Sequence, residues 1–216
     1  MGFNVICISH TDGSGGEGVG HAVAERLGCR YVNEEIILEA ARLARVDPAV
    51  VAATEHKQSL LRRILDSLSD AQQALGPAAL ATAFAVPVSM EVGSTRADKD
   101  DLRGLIRVAI HEVSKSGKAV IAAHAASVAL AGKPGVLRVL VTAPNPKRRE
   151  RIARDRGLSA SEADEAIAKG DRARRDYLQT FYAIDEEAPT HYDLVVNTEV
   201  LTPDDAAELI VAAASR

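Results

Sequence analysis

The stretch that most constrains this chain runs from Phe3 to Leu27. A short apolar run, Phe3–Ser9, is followed by His10-Thr-Asp-Gly-Ser-Gly-Gly-Glu-Gly-Val-Gly20, and helical periodicity begins at His21. Val23, Ala24 and Leu27 then share one helix face, and Gly28 is a natural stop. A glycine-rich turn between a buried strand and a helix leaves backbone N–H groups unpaired. With the helix dipole these form an anion site, and glycine lets a phosphate approach the backbone. In α/β folds the ligand crevice lies at this kind of strand-to-helix junction. Thr11–Gly20 is read as loop, without regular structure.

The rest of the chain repeats the strand–helix alternation. Cys29–Val32, Ala119–Ala123, Val136–Thr142 and Asp193–Thr198 read as short strands. Helical patterns cover 34–44, 59–75, 102–115 and 145–156, with a shorter one opening at Asp47-Pro48. Ser159-Ala-Ser-Glu162 is a capping box that opens a further helix, and Thr202-Pro-Asp-Asp205 caps the last one, which ends near Ala214. This order predicts an α/β fold, a parallel sheet of about five strands covered by helices, with Phe3–Ser9 central. Aromatic residues make up only 3% and Trp is absent, so the core must be Ala, Val, Leu and Ile. Such a core suits helices packed on a buried parallel sheet. The expectation is one domain over 1–216, with a helical substrate-side insert over 46–98 and a lid-like segment over 157–190.

Several classes are excluded on composition. A net charge of −4 does not suit an extended nucleic-acid surface. The longest apolar-rich run, Pro77 to Val88, is too short to span a bilayer, and Met1–Ser9 has no basic leader pattern. Cys7 and Cys29 give neither a disulfide framework nor metal spacing, so reduced thiols and a cytoplasmic location are expected. His10, His111 and His124 have no metal-ligand spacing, and no metal site is expected from protein ligands. A small-molecule nucleotide is the expected partner, and self-association is left open.

Two phosphate motifs fit the loop. Gly13-Ser-Gly15-Gly16-Glu17-Gly18 matches G-x-G-x-x-G, the dinucleotide fingerprint, with Glu34 or Glu35 as the acidic residue downstream. That fingerprint predicts continuing βαβ units, whereas a long, mostly helical stretch separates Val32 from the next strand at Ala119. The second frame is Gly15-x-x-x-x-Gly20-His21-Ala22, which has the spacing of G-x-x-x-x-G-K-[ST]. There His21 occupies the place of the phosphate-binding lysine and Ala22 that of the Mg²⁺-binding hydroxyl.

The chain resembles the cytidylate-kinase-like family, relatives of bacterial cytidylate kinases among the P-loop nucleoside monophosphate kinases. The residues that carry the resemblance are Gly13-Ser-Gly-Gly-Glu-Gly-Val-Gly20-His21 with Val23-Ala-Glu-Arg-Leu-Gly28, Glu34-Glu-Ile-Ile-Leu-Glu-Ala-Ala41, Val136 to Pro144, Gly157-Leu-Ser, Asp171-Arg-Ala-Arg-Arg-Asp-Tyr177 and Tyr192-Asp-Leu-Val-Val-Asn-Thr198. Residues 46–98 match least.

The resemblance implies a P-loop NTPase-like fold and transfer of the γ-phosphate of ATP, with Mg²⁺, to a nucleoside monophosphate of the cytidylate kind. It implies that Gly13, Ser14, Gly15, Gly16, Gly18, Gly20 and His21 hold the ATP phosphates. Lid arginines would neutralise the transferring group. Arg172 and Arg174 are the family-matched positions, and Arg175 shares a helix face with Arg172. Asn33, His124 and Tyr177 fall on the substrate side, and His21 joins the arginines as a catalytic candidate. Asp12 and Glu17 flank the loop and are candidates to hold Mg²⁺ through water. The chain departs from the family at His21, at Asn33 where Asp is common, and at Ala123-His124-Ala125 where G-R-G is common. These departures keep open a second class, a nucleotide-binding regulatory protein that retains the fold without turnover.

Overall fold

The computed structural model describes residues 2–33, 96–123 and 126–216. The helices expected over 34–75, the segment 76–95, Glu34, Glu35 and His124 lie outside the described residues. The chain forms two compact units, one of Met1–Tyr31 with Gly117–Arg216 and one of Val32–Ser116.

The described elements are β1 (Val5–His10), α1 (Gly16–Leu27), β2 (Arg30–Asn33), α2 (Arg96–Ser116), β3 (Ala119–Ala122), α3 (Ala126–Ala129), β4 (Val136–Thr142), α4 (Asn145–Arg156), α5 (Ala160–Tyr182), β5 (Leu194–Asn197) and α6 (Pro203–Ala214). The sheet has five strands in the order β2-β3-β1-β4-β5. β1 runs parallel to β3 on one side and β4 on the other, and β4 runs parallel to β5. The fold class read from the sequence is therefore the observed one, with β1 central. The reason is legible in the chain. Val5-Ile-Cys-Ile8 and Ala119-Val-Ile-Ala122 are apolar at every position and buried throughout, as strands covered on both faces must be.

In the first unit the core is aliphatic. Ile6, Ile8, Val120, Val139 and Val141 from the sheet pack with Val19, Val23 and Ala24 of α1 and Ala206, Ala207 and Ile210 of α6. Cys7 is fully buried and its thiol is pushed up to about 12 by that burial, so it is an inert core residue. α5 opens with the expected capping box, Ser159 accepting from the Glu162 amide and Glu162 from the Ser159 amide. α6 repeats the arrangement with Thr202 and Asp205. In the second unit, α2 buries Leu105, Ile106, Ala109, Ile110 and Val113 along one stripe.

One expectation is corrected. Gly16–Gly20 is not loop; it forms the first turns of α1. Glycine is a poor helix former, but packing overrides propensity here. A Cβ on Gly16 would overlap the Cβ of His10, and one on Gly20 would lie 2.9 Å from Tyr31 Cε2. These glycines let the helix approach β1 and β2 closely.

Candidate functional site

The order β2-β3-β1-β4-β5 places β1 where the chain's direction of winding reverses, with β2 and β3 on one side and β4 and β5 on the other. Ligands of open α/β sheets bind outside the carboxyl ends of strands at such a point. The loop found there is Thr11-Asp-Gly-Ser-Gly15, shorter than the sequence suggests. Gly13 and Gly15 take left-handed φ values of 76° and 77°. Gly13 is also crowded, since a Cβ there would lie 2.8 Å from the Arg148 carbonyl oxygen.

The loop divides its polar groups sharply. Its carbonyls are tied back by named donors. Arg174 Nη1 donates to His10 O at 3.1 Å. Ser14 N and Oγ both donate to Thr11 O. Arg148 Nε donates to Asp12 O at 2.6 Å. Arg151 Nη1 donates to Gly13 O at 3.3 Å. The Thr198 hydroxyl donates to Ser14 O at 2.6 Å, and Val19 N to Gly15 O. The amides of Asp12, Gly13, Gly15, Gly16, Glu17 and Gly18, by contrast, meet no acceptor among the described residues. Donors without partners at the positive end of α1 are what an anion requires.

The arginines fall into two groups. Arg148 is 3% exposed and forms a two-pronged pair with Asp171, 2.9 and 2.6 Å, while also donating to Asn145 Oδ1. Arg174 is 8% exposed and pairs with Glu187 through Nε at 2.7 Å and Nη2 at 2.5 Å. Glu187 also accepts from the Tyr192 hydroxyl. Burial alone would raise the Glu187 carboxyl, but Arg174 and Tyr192 together hold it below its ordinary value. The Tyr192 hydroxyl is pushed up to about 12 by burial and by its bond to Glu187. Arg151 bridges Gly13 O and Thr198. Arg172 and Arg175, in contrast, are exposed and make no ion pair among the described residues.

The remaining sequence candidates are placed as follows. In the P-loop motif the lysine opens the helix that follows the loop. α1 opens at Gly16, so a motif set in register with the helix would have its lysine position at Gly16 and its first glycine position at His10. Gly20 and His21 lie in the second turn, past the free amides, and His21 stacks on Tyr31 with ring centroids 3.8 Å apart. His10 ends β1, just before the loop, and is half-buried. That burial, with the charge of Arg174, holds its imidazole below the usual histidine range. Asn33 ends β2 and is half-buried. Tyr177 belongs to an aromatic group with Phe181 and Tyr182, 4.7 and 6.2 Å between centroids. Asp12 pairs with Arg156 at 2.7 Å, and Glu17 is exposed in the first turn of α1. The sequence shows Arg148 and Arg151 in a basic helix, Glu187 in an acidic turn and Thr198 at the end of a strand, but places none of them at the loop. The available signal for the two arginines was their three-residue spacing, which puts both on one face of α4.

Comparison with known proteins supports the fold and gives the family. A cytidylate kinase of Sulfolobus acidocaldarius is 36% identical over 80 residues, covering 37% of this chain and 44% of that protein. A cytidylate kinase of Pyrococcus horikoshii is 31% identical over 102 residues, covering 47% of this chain and 52% of that protein. The chain thus matches about half the length of these curated relatives. An uncharacterised protein of Eubacterium ventriosum, known from a crystal structure, shares the fold with a TM-score of 0.65 at 15% identity over 96% of both chains. The profile of the cytidylate kinase-like family matches residues 5–200, nearly the whole sequence, and the chain belongs to that family.

Proposed function

We propose that this chain is a nucleotide kinase that moves the γ-phosphate of ATP to a nucleoside monophosphate of the cytidylate type. The observation that carries the reading is the glycine loop, with its carbonyls bonded behind it and the amides of Asp12, Gly13 and Gly15 to Gly18 lacking acceptors among the described residues. The ATP phosphates would lie on those amides at the positive end of α1. Arg151, held at the loop by Gly13 O and Thr198, supplies a fixed positive charge close to where the lysine would have brought one. Arg172 and Arg175, uncommitted and exposed, are the side chains able to neutralise a transferring phosphoryl group. Catalysis of this kind is positioning plus charge neutralisation and needs no covalent intermediate.

The described residues contain no cluster of three metal-binding side chains. Magnesium fits such a site, because it is usually held by substrate phosphates with one or two carboxylates. Glu17, exposed in the first turn of α1, is the carboxylate best placed among the described residues, and Asp12 is engaged by Arg156. When bound, the ion would offset charge on the β- and γ-phosphates.

The test is a coupled ADP-release assay with ATP, Mg²⁺ and a panel of cytidine, uridine, adenosine and guanosine monophosphates. ADP formation that depends on a monophosphate, fastest with the cytidine compound, supports the proposal. A second reading, a nucleotide-binding protein without turnover, is favoured by one observation: no side chain fits at Gly16, where the motif has lysine. ATP binding by calorimetry with no ADP formed from any acceptor would select it. Absence of ATP binding at millimolar concentration would overturn both.

A further inference from the structure

Thr198 closes the Asn197-Thr198 pair that follows Tyr192-Asp-Leu-Val-Val and has no part in the phosphate site as read from the sequence. It lies just past β5, 1% exposed, with its amide bonded to Thr142 O at 2.8 Å. Its hydroxyl donates to Ser14 O at 2.6 Å and accepts from Arg151 Nη1 at 2.9 Å. A planar trans peptide points its N–H away from its C=O. Holding the Ser14 carbonyl therefore aims the Gly15 amide to the opposite side, and that amide has no acceptor among the described residues. Arg148 does the same one turn earlier: its bond to Asp12 O aims the free Gly13 amide, and Asp171 holds the guanidinium in place. The two glycines with left-handed φ, Gly13 and Gly15, are the residues whose N–H groups are aimed in this way.

We propose that Thr198 is a positioning residue for phosphate binding: through Ser14 O it orients the Gly15 N–H, with Arg151 fixing the hydroxyl and Arg148 acting in parallel on the Gly13 N–H. This rests on the proposed reading of the loop as a phosphate site. The threonine touches no phosphate itself. It acts by removing the alternative in which the Ser14–Gly15 peptide flips and offers its carbonyl, a repulsive acceptor, to the anion. Glycine at 15 makes such a flip easy, since both signs of φ are open to it.

The experiment compares Thr198→Val, which keeps the shape and removes the hydroxyl, with Thr198→Ser, which keeps the hydroxyl. Binding of ATP and of inorganic pyrophosphate is measured by calorimetry, and melting is followed by circular dichroism. Thr202→Ala, which removes the cap of α6 far from the loop in sequence, controls for loss of stability alone. Thr198→Val is expected to weaken both ligands roughly tenfold, the effect of one well-made hydrogen bond. Thr198→Ser should bind within about twofold of the parent, and Thr202→Ala should melt lower with affinity unchanged. If any turnover is measured, KM for ATP should rise in Thr198→Val more than kcat falls. Equal binding by Thr198→Val and the parent overturns the positioning role and leaves the phosphate site standing. Equal weakening by Thr198→Val and Thr198→Ser overturns it as well, since the hydroxyl would then not be the agent. If the parent itself binds neither ATP nor pyrophosphate, the phosphate site and the positioning role both fall.

Discussion

The contact between position 16 and His10 makes the sharpest test of how this loop is built. Gly16 lies in α1 with no left-handed φ, so its backbone would accept alanine. At the first helical position that exchange returns less than the ~1 kcal/mol it is worth to alanine in a helix interior. A Cβ at position 16, however, would overlap the Cβ of His10 and lie 2.5 Å from its Cγ. The obstructing atom is fixed to the backbone of β1, and no rotation of the imidazole clears it. Overpacking of this kind costs about 1–3 kcal/mol, more than propensity returns. Gly16→Ala should therefore destabilise by roughly 1–2 kcal/mol, and at ~2–4 °C per kcal/mol for a chain of this size it should melt about 2–8 °C lower. His10→Ala keeps the offending Cβ and should not rescue Gly16→Ala; His10→Gly removes it and should. Urea unfolding of the parent, the three single variants and the two double variants gives the couplings. The expected coupling is about 1–3 kcal/mol with His10→Gly and near zero with His10→Ala. Equal rescue by both, or an undisturbed Gly16→Ala, refutes the reasoning. The same geometry bars any side chain, lysine included, from position 16 while His10 faces it. His10→Gly with Gly16→Lys should accommodate a lysine that Gly16→Lys alone cannot, and ADP release should rise only in the double variant.

Arg174→Ala leaves half-buried Glu187 without its cation and should lose about 1–3 kcal/mol of stability; adding Glu187→Gln should recover part of that loss in urea unfolding. Arg172→Ala and Arg175→Ala should change stability by no more than about 0.5 kcal/mol and, under the kinase reading, lower kcat by roughly a hundredfold; normal turnover in both would remove them from the mechanism. Because Glu187 is held below its ordinary value of 4.5, its contribution to stability is complete above that pH. It is lost as pH falls through the lowered folded value, so Glu187→Gln should flatten the acid limb of a stability–pH curve. Half-buried His10 is likewise held below its ordinary 6.5 by desolvation and by the charge of Arg174, with Asp12 and Glu17 acting the other way. Stability should begin to fall as pH drops below 6.5, where the unfolded chain takes up the proton first, and His10→Asn should abolish that slope.

How much of this could be read from the chain depended on the range of the forces involved. The strands were legible because burial on both faces leaves a continuous apolar run, and Val136–Thr142 falls on the residues expected. Both capping boxes were legible because a cap is a local bond between residues three apart. The start of α1 was not, because the tolerance of Gly16 and Gly20 for helix comes from His10 and Tyr31, side chains outside the helix. The sequence pattern begins the helix at His21, whereas α1 opens at Gly16 and carries His21 in its second turn. Which arginines hold the loop was not legible for a similar reason. Sequence shows that 148, 151, 172, 174 and 175 are basic, but which of them are buried depends on Asp171, Glu187 and the loop carbonyls.

That division bears on what could move. α-Helical spacing of 100° per residue turns Arg174 inward, toward Glu187 and His10 O, and leaves Arg172 and Arg175 on the outer face. Asp171, on the same helix, holds Arg148 and through it Asp12 O. α4 and α5 also share an apolar contact of Ile152, Ala163 and Ile167. A rigid swing of α5 would release His10 O and take Asp171 from Arg148, the donor to Asp12 O. If a lid closes over bound phosphates, it therefore closes by the reach of the Arg172 and Arg175 side chains or at the turn around Gly157, whose left-handed φ of 65° ends α4. Arg174 and Asp171 tie the body of α5 to the loop, so the helix that carries Arg172 and Arg175 also helps hold the loop carbonyls.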